Sequence, residues 1–197
     1  MDMNPWWASD SFWRKTAIIV TGASVVALIV LTFDSLSKMS IGTKRVPAYS
    51  VINQRIDYVF NDARRVQEPR IGPAQPLFGQ QLSDEAAEAL VRHGKLTIQA
   101  KNCMDCHTLL GNGAYYAPDL TKAWLDPYWG SPESREETMV QFLMDPSDKL
   151  FNALGRRMPN LKLTRDESRA VVAYLKWMSS IDTNGFPYNF VPLKQEK

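Results

Sequence analysis

NCMDCHT, residues 102–108, contains both cysteines of the chain, and its reading decides the fold. Cys103 and Cys106 stand two residues apart and His107 follows at once. Three kinds of chemistry use such a pair. Structural zinc takes four ligands, usually from two knuckles; beyond these cysteines only His107 and His93 remain, and there is no second knuckle. A thioredoxin-like dithiol belongs beside a strand in a βαβ pattern, whereas the residues leading into Cys103 read as helix. The third chemistry is covalent haem attachment. Two sulfurs add to the haem vinyl groups as thioethers, the two intervening residues let them span the porphyrin edge, and the adjacent imidazole reaches the iron. Cys-x-x-Cys-His is specific to it, so Cys103 and Cys106 are read as the attachment points of one haem c and His107 as an axial ligand.

Helix signals dominate on both sides of the motif. Ser83 caps a helix with Asp84 and Glu85 in its first turn, favourable against the helix dipole, and with Leu90, Gly94 and Ile98 on its inward face. That helix runs directly into Cys103. Thr164 and Glu167 form a capping box for a last helix that buries Val171, Tyr174, Leu175, Met178 and Ile181. Gly94 offers a place without a side chain where the last helix can cross closely, covered by Tyr174. A middle helix begins near Ser131, with Pro132 at its first position, and stops before Asp145-Pro146. The expected fold class is all-α, a class I-type cytochrome c domain whose three helices enclose the haem.

The second axial ligand comes from the far side of the haem. His93 lies on the helix entering Cys103, on the proximal side, and reads as a surface or packing residue. Met139, Met144 and Met178 fall within helix patterns and read as core. Met158 stands instead in GRRMPNL, between two helices and ahead of Pro159, and is the expected thioether ligand, which raises the iron's potential relative to bis-histidine. Such a closed, six-coordinate site suits the passage of one electron. The free ring N–H of His107 is expected to donate to a backbone carbonyl, that of Pro118 by its position after the motif. Arg156 and Arg157 either neutralise the haem propionates or are solvated.

With 197 residues, 45% of them hydrophobic and 22% charged, the chain has room for one domain plus extras. A net charge of +2 is too small to argue for nucleic acid, and no glycine-rich phosphate loop or hydrolase-type triad is evident. Residues 16–33, TAIIVTGASVVALIVLTF, are an uncharged run close to the roughly 20 residues that cross a bilayer. Trp6, Trp7 and Trp13 precede it as an aromatic belt would. A cleaved signal peptide ending near Ser35-Leu36-Ser37 is the alternative, but its apolar core usually spans 7–15 residues. Residues 1–37 are therefore read as a retained anchor with a transmembrane helix at about 16–34. Charge flanks both ends, so orientation follows from the haem: haem c is attached outside the bacterial cytoplasm, which puts the N-terminus in the cytoplasm and the haem domain in the periplasm of an inner-membrane protein.

Residues 38–82 read as a periplasmic spacer. YSVINQRIDYVFNDARRV places Ile52, Ile56, Val59, Phe60 and Ala63 at helical spacing, and EPRIGPAQP then supplies three prolines that forbid a regular helix. A short amphipathic helix and an extended arm are expected, the arm either lying along a partner or the membrane or acting as a solvated tether. Residues 83–187 form the haem domain and 188–197 a tail.

Three separated stretches, CMDCHTLLGNGAYYAPDL, RRMPNL and YLKWMSSIDTNGFP, resemble the cytochrome c subunit of bacterial nitric oxide reductase, a membrane-anchored class I-type cytochrome. The resemblance covers the anchor in character and roughly 83–187 in detail. It implies an electron-transfer subunit that takes electrons from a soluble cytochrome c or cupredoxin. These pass to a large membrane-embedded subunit, where a haem b and non-haem iron centre turns two NO into N2O and water; this chain then carries no catalytic residue. The resemblance also implies that Gly113 and Tyr115 help complete a calcium site at the boundary with that large subunit. The 38–82 spacer is longer than that family leads one to expect. Within the same class, the mono-haem subunit of a cbb-type cytochrome c oxidase is the alternative, separated by the LLGNGAYYAPDL and KWMSSIDTNGFP wording. A haem sensor or peroxidase would lack a fixed distal ligand.

Overall fold

The computed structural model describes residues 5–146, 157–188 and 190. Among the described residues are four α-helices and two hairpins, joined by turns and short 3-10 segments: α1 (Asp10–Met39), β1 (Gln54–Asn61), β2 (Val66–Ala74), α2 (Asp84–Ala100), β3 (Thr108–Leu109), β4 (Asn112–Gly113), α3 (Pro132–Met144) and α4 (Arg165–Ser179). The ends of the helices follow from their caps. Ser83 accepts the amide of Ala86, and Thr164 and Glu167 bond each other's backbone amides reciprocally at 3.2 and 2.8 Å. Pro132 opens α3, where its missing N–H costs nothing.

Helix α4 is the axis of the domain. It is buried from Ala170 to Ser179, which one neighbouring helix could not achieve. On one side α2 crosses it at Gly94, so closely that a Cβ there would penetrate the Ala170 carbonyl oxygen and come within 2.8 Å of Tyr174 Cβ. The other side is covered by the spacer. Trp177 Nε1 donates to Pro47 O at 3.0 Å, Lys176 Nζ to Gln75 O at 3.0 Å, and the amide of Asp182 to Arg45 O at 2.9 Å.

The spacer therefore corrects two expectations. No α-helix forms at 52–63: a short 3-10 helix at Tyr49–Asn53 gives way to a strand, Gln54–Asn61, antiparallel to Val66–Ala74, with Ile56 opposite Ile71, Tyr58 opposite Pro69 and Phe60 opposite Gln67. The apolar residues of YSVINQRIDYVF fit a period of two as well as one of 3.6. Within the strand, Ile56 and Tyr58, two apart, are the apolar residues that the structure buries, and the β-branched and aromatic content suits a strand. The proline arm is extended, but it is paired, with Pro69 and Pro73 on a ribbon edge where a missing N–H is tolerated. Nor is the segment a solvated tether, since Val46, Val51, Ile52, Ile56, Tyr58 and Leu77 belong to the main core. The all-α expectation is consequently not met: besides the helices, the chain carries the ribbon at 54–74 and a short hairpin, Thr108–Leu109 with Asn112–Gly113, directly after the motif.

One arginine fastens the ribbon. Arg64, in the turn between β1 and β2, donates to Glu68 at 2.8 Å, Asp182 at 2.9 Å and Asn184 at 2.7 Å. Burial alone would raise the Asp182 carboxyl, but donation from Arg64 and from the Asn184 amide, with the charges of Arg64 and Arg45, holds it below the usual carboxylate range. Arg64→Ala is expected to speed amide hydrogen exchange through β1 and β2 while α2 and α4 keep their protection; equal exchange in both proteins would show that core packing alone seats the ribbon.

Helix α1 stands apart from this packing. It has no buried residue, and Ile18, Ile19, Val26, Leu28, Leu31 and Phe33 are all exposed. A helix apolar all round needs an apolar surrounding. Among the described residues it is the one helix long and apolar enough to cross a membrane, and at 30 residues it is about 45 Å long. A turn closed by Gly42 N on Val46 O then brings the chain to Arg45 and the end of α4.

Candidate functional site

The last turn of α2 leads through Asn102, in the left-handed region at φ 52°, into a tight turn over Cys103–Asp105. Asn102 tolerates that conformation better than most residues. Cys103 O then accepts the amides of Cys106 at 3.3 Å and His107 at 3.0 Å, which puts both thiols and the imidazole on one turn. Both cysteines are half-buried and unpaired. Burial pushes the Cys103 thiol up, the reverse of the depressed value that makes a redox dithiol reactive.

His107 Nδ1 lies 2.7 Å from Pro118 O. A carbonyl can only accept, so Nδ1 is the donor in this bond, which leaves Nε2 as the ring nitrogen for a metal. The loop is drawn back beneath the motif by Ala114 N on Met104 O at 3.0 Å and Ala117 N on Cys106 O at 2.8 Å. Gly113 sits at φ 121° against the His107 carbonyl, and a Cβ there would overlap that oxygen; no other residue fits the position. Tyr115, 79% exposed, donates to Gly111 O at 2.9 Å. Among the described residues no group of three or more His, Cys, Asp or Glu side chains could hold a metal ion.

Met158 is half-buried and Arg157 exposed, whereas Arg156 lies outside the described residues. The Met158 stretch is tied to its surroundings by Asn160 Nδ2 on Asp145 Oδ1 at 3.3 Å and by Lys101 Nζ on Leu161 O at 3.5 Å, at the ends of α3 and α2. Met139 and Met178 are buried in the core, Met144 is half-buried at the end of α3, and His93 is exposed on α2. Leu109, Leu120, Trp129, Leu143, Met144 and Leu161 are all packed on the core yet only partly covered. Two half-buried thiols and an imidazole on one turn, with Nδ1 of that imidazole turned to a carbonyl, fit a covalently held macrocycle, and the donor set fits haem c.

Several polar residues of this region are not apparent from sequence patterns. Lys122 is 1% exposed, donates to Ser179 O at 3.1 Å and Ile181 O at 2.7 Å, and lies 5.1 Å from the centre of the Tyr58 ring. Burial pulls its ammonium down to about 7, against the opposing pull of Asp182 and Asp119. The unfolded chain binds this proton more tightly than the folded one between that value and the ordinary 10.5. Stability should therefore rise with pH from about 7 to about 10, and Lys122→Met should flatten the rise. Thermal unfolding across that range checks it; an unchanged slope in the variant would show that the ammonium stays charged.

Residues 91–179 match the family model for cytochrome c. The C subunit of nitric oxide reductase from Stutzerimonas stutzeri is 39% identical over 107 residues, covering 53% of this chain and 68% of that protein. The corresponding C subunits of Paracoccus denitrificans and Halomonas halodenitrificans are 36% and 29% identical over 102 and 96 residues, covering 50% and 48% of this chain and 65% and 62% of theirs. The matched region thus spans about two thirds of the length of these relatives.

Proposed function

Because the chain belongs to the family of nitric oxide reductase C subunits, we propose that it is the membrane-anchored, mono-haem electron-transfer subunit of such a reductase. The observation that carries this reading is the turn that sets Cys103, Cys106 and His107 together, with Nδ1 of His107 committed to Pro118. Cys103 and Cys106 would hold haem c covalently, His107 and Met158 would ligate its iron, and Arg157, with Arg156 of the same stretch in sequence, would neutralise its propionates. When bound, the haem supplies a one-electron couple. The chain's own residues would orient it, and His107 and Met158 together would leave no room at the iron for small ligands. With Met158 as a ligand beside His107, the bound haem would have a potential high enough to draw electrons from a soluble periplasmic cytochrome c or cupredoxin, through a contact on the order of 1,200 Å² or less.

Electrons then pass to a large membrane-embedded partner that holds haem b and non-haem iron, where 2 NO, two electrons and two protons give N2O and water. Helix α1 crosses the bacterial inner membrane with its N-terminus in the cytoplasm and the haem domain in the periplasm. Gly113 and Tyr115 contribute to a calcium site shared with that partner. Two groups cannot satisfy an ion that takes six to eight oxygens, so the partner completes the shell.

The test is gas consumption by the complex that co-purifies with this chain from membranes, supplied with reduced cytochrome c and either NO or O2. Loss of NO with appearance of N2O is expected. Rapid O2 uptake with negligible NO turnover would overturn the reading in favour of the mono-haem subunit of a cbb-type oxidase.

A further inference from the structure

The loop after the haem motif carries a carboxylate to which the electron-transfer reading gives no role. Asp119 follows directly on Pro118 and is half-buried. Its Oδ2 accepts the Thr108 hydroxyl at 2.6 Å and the Gly111 amide at 3.4 Å, and its Oδ1 accepts the Thr121 amide at 2.8 Å. Thr121, fully buried, accepts the Leu110 amide on its hydroxyl at 2.7 Å, and Thr108 O accepts the Leu120 amide at 2.8 Å. Residues 108–111 and 119–121 are thus stitched together by four of these bonds, two of which end on the Asp119 carboxylate, while the Thr121 amide fixes that carboxylate within its own segment. His107 and Pro118 are the next residues out on either side of the seam. Pro118 has no N–H of its own to hold it, and it is exposed. The placing of its carbonyl therefore depends on its neighbours, Asp119 on one side and Ala117, bonded to Cys106 O, on the other.

We infer that Asp119 is a positioning residue for His107: by fixing the Pro118 carbonyl in line with Nδ1–H, it sets how strongly Nε2 donates to the iron. The inference rests on the reading of His107 as an axial ligand and deepens it. A well-aligned Nδ1–H···O bond pushes electron density onto the ring, strengthens Nε2 as a donor, favours the ferric state and holds the midpoint potential down. A carbonyl free to swing away does the reverse.

The experiment uses the full chain, purified in detergent with 15N-labelled histidine, as wild type, Asp119→Ala, Asp119→Asn and Thr121→Val. Covalent haem is scored first, by haem staining after denaturing electrophoresis; a wild type without it overturns the haem reading and this inference together. In the reduced protein, the His107 Nδ1–H resonance should move upfield in Asp119→Ala and Thr121→Val, with exposed His93 as the internal reference. Its exchange with water should quicken about tenfold, the factor for one net hydrogen bond, and the midpoint potential should rise in both variants. Asp119→Asn, which keeps one acceptor oxygen, should fall between them and wild type.

Thr121→Val removes no charge, so a rise there separates positioning from the loss of a nearby negative charge. A rise confined to the Asp119 variants, with the His107 resonance unmoved, overturns the inference in favour of a through-space charge effect. A drop in thermal stability with resonance and potential both unchanged overturns it in favour of a purely structural role. Should Asp119→Ala fail to mature, the same two readings on Asp119→Asn and Thr121→Val decide.

Discussion

Alanine in place of Met158 should leave a chain that still carries covalent haem but whose midpoint potential has fallen by on the order of a tenth of a volt or more, a fraction of the roughly 0.8 V over which axial ligands set haem potentials. Attachment depends on Cys103, Cys106 and His107, which α2 and the turn at Cys103 position without help from residue 158. The thioether comes from a separate, non-helical stretch, held to α3 and α2 through Asn160 and Leu161, so its loss leaves the proximal side in place. Compensation is limited. Met139 and Met178 are fixed in the core at 1% and 2% exposure, and Met104 lies within the attachment turn itself.

Met144, half-buried at the end of α3, is the methionine of the haem domain's described residues left to substitute, so Met144→Leu is made alongside and with Met158→Ala. Redox titration with optical spectra reads the result. A single variant with wild-type potential and spectrum would remove Met158 from the site; the same result in Met144→Leu with a fall in the double variant alone would mean that the two methionines exchange. A potential restored toward neither value but lowered further in Met158→His would confirm an axial position, since bis-histidine iron lies lower than histidine–methionine iron.

What could be read from the sequence and what could not divide along the range of the interactions involved. Ser83, Thr164 with Glu167, and Pro132 announce helix starts because each acts on amides two or three residues away, and the structure begins α2, α4 and α3 at those points. Gly94 was legible for a similar reason, as a missing side chain on an inward helix face. The ribbon at 54–74 was not. Its apolar residues suit either period, and the decision came from partners remote in sequence, among them Asp182 and Asn184 for Arg64 in its turn. Lys122 shows the same limit from the other side. Lysine is a surface residue by default, and only the carbonyls of Ser179 and Ile181, exposed where α4 ends, make a buried place for it. Asp119 and its threonines are ordinary loop residues in sequence, and their partners lie across the loop.

Gly94→Ala should be among the most damaging single substitutions in the haem domain, although on an isolated helix it would be favourable. Alanine is better than glycine in a helix interior by about 1 kcal/mol, and Gly94 lies well inside α2. Against that gain stands a Cβ driven into the backbone carbonyl of Ala170 and to 2.8 Å from Tyr174 Cβ. Neither neighbour is the free end of a flexible side chain: the first is the main chain of the most buried helix in the domain, and the second is held where α4 is packed on both faces. Relief requires α2 and α4 to separate. Overpacking typically costs about 1–3 kcal/mol and occasionally more, and a clash with backbone belongs at the upper end, so the helix-propensity gain is overwhelmed. A net loss of roughly 2 kcal/mol corresponds to a fall in Tm of about 8–16 °C for a domain near 100 residues.

The effect should also reach the haem motif, because α2 runs straight into the turn at Cys103. The expectation is reduced covalent haem incorporation at ordinary expression temperature, partly restored in the cold. Gly22→Ala, at a position in α1 where a Cβ would meet nothing within 4 Å, is the control that should change neither reading. A Gly94→Ala protein that melts with wild type and incorporates haem normally would mean that the two helices can part without cost, and the close crossing would lose its place as the feature that organises the domain.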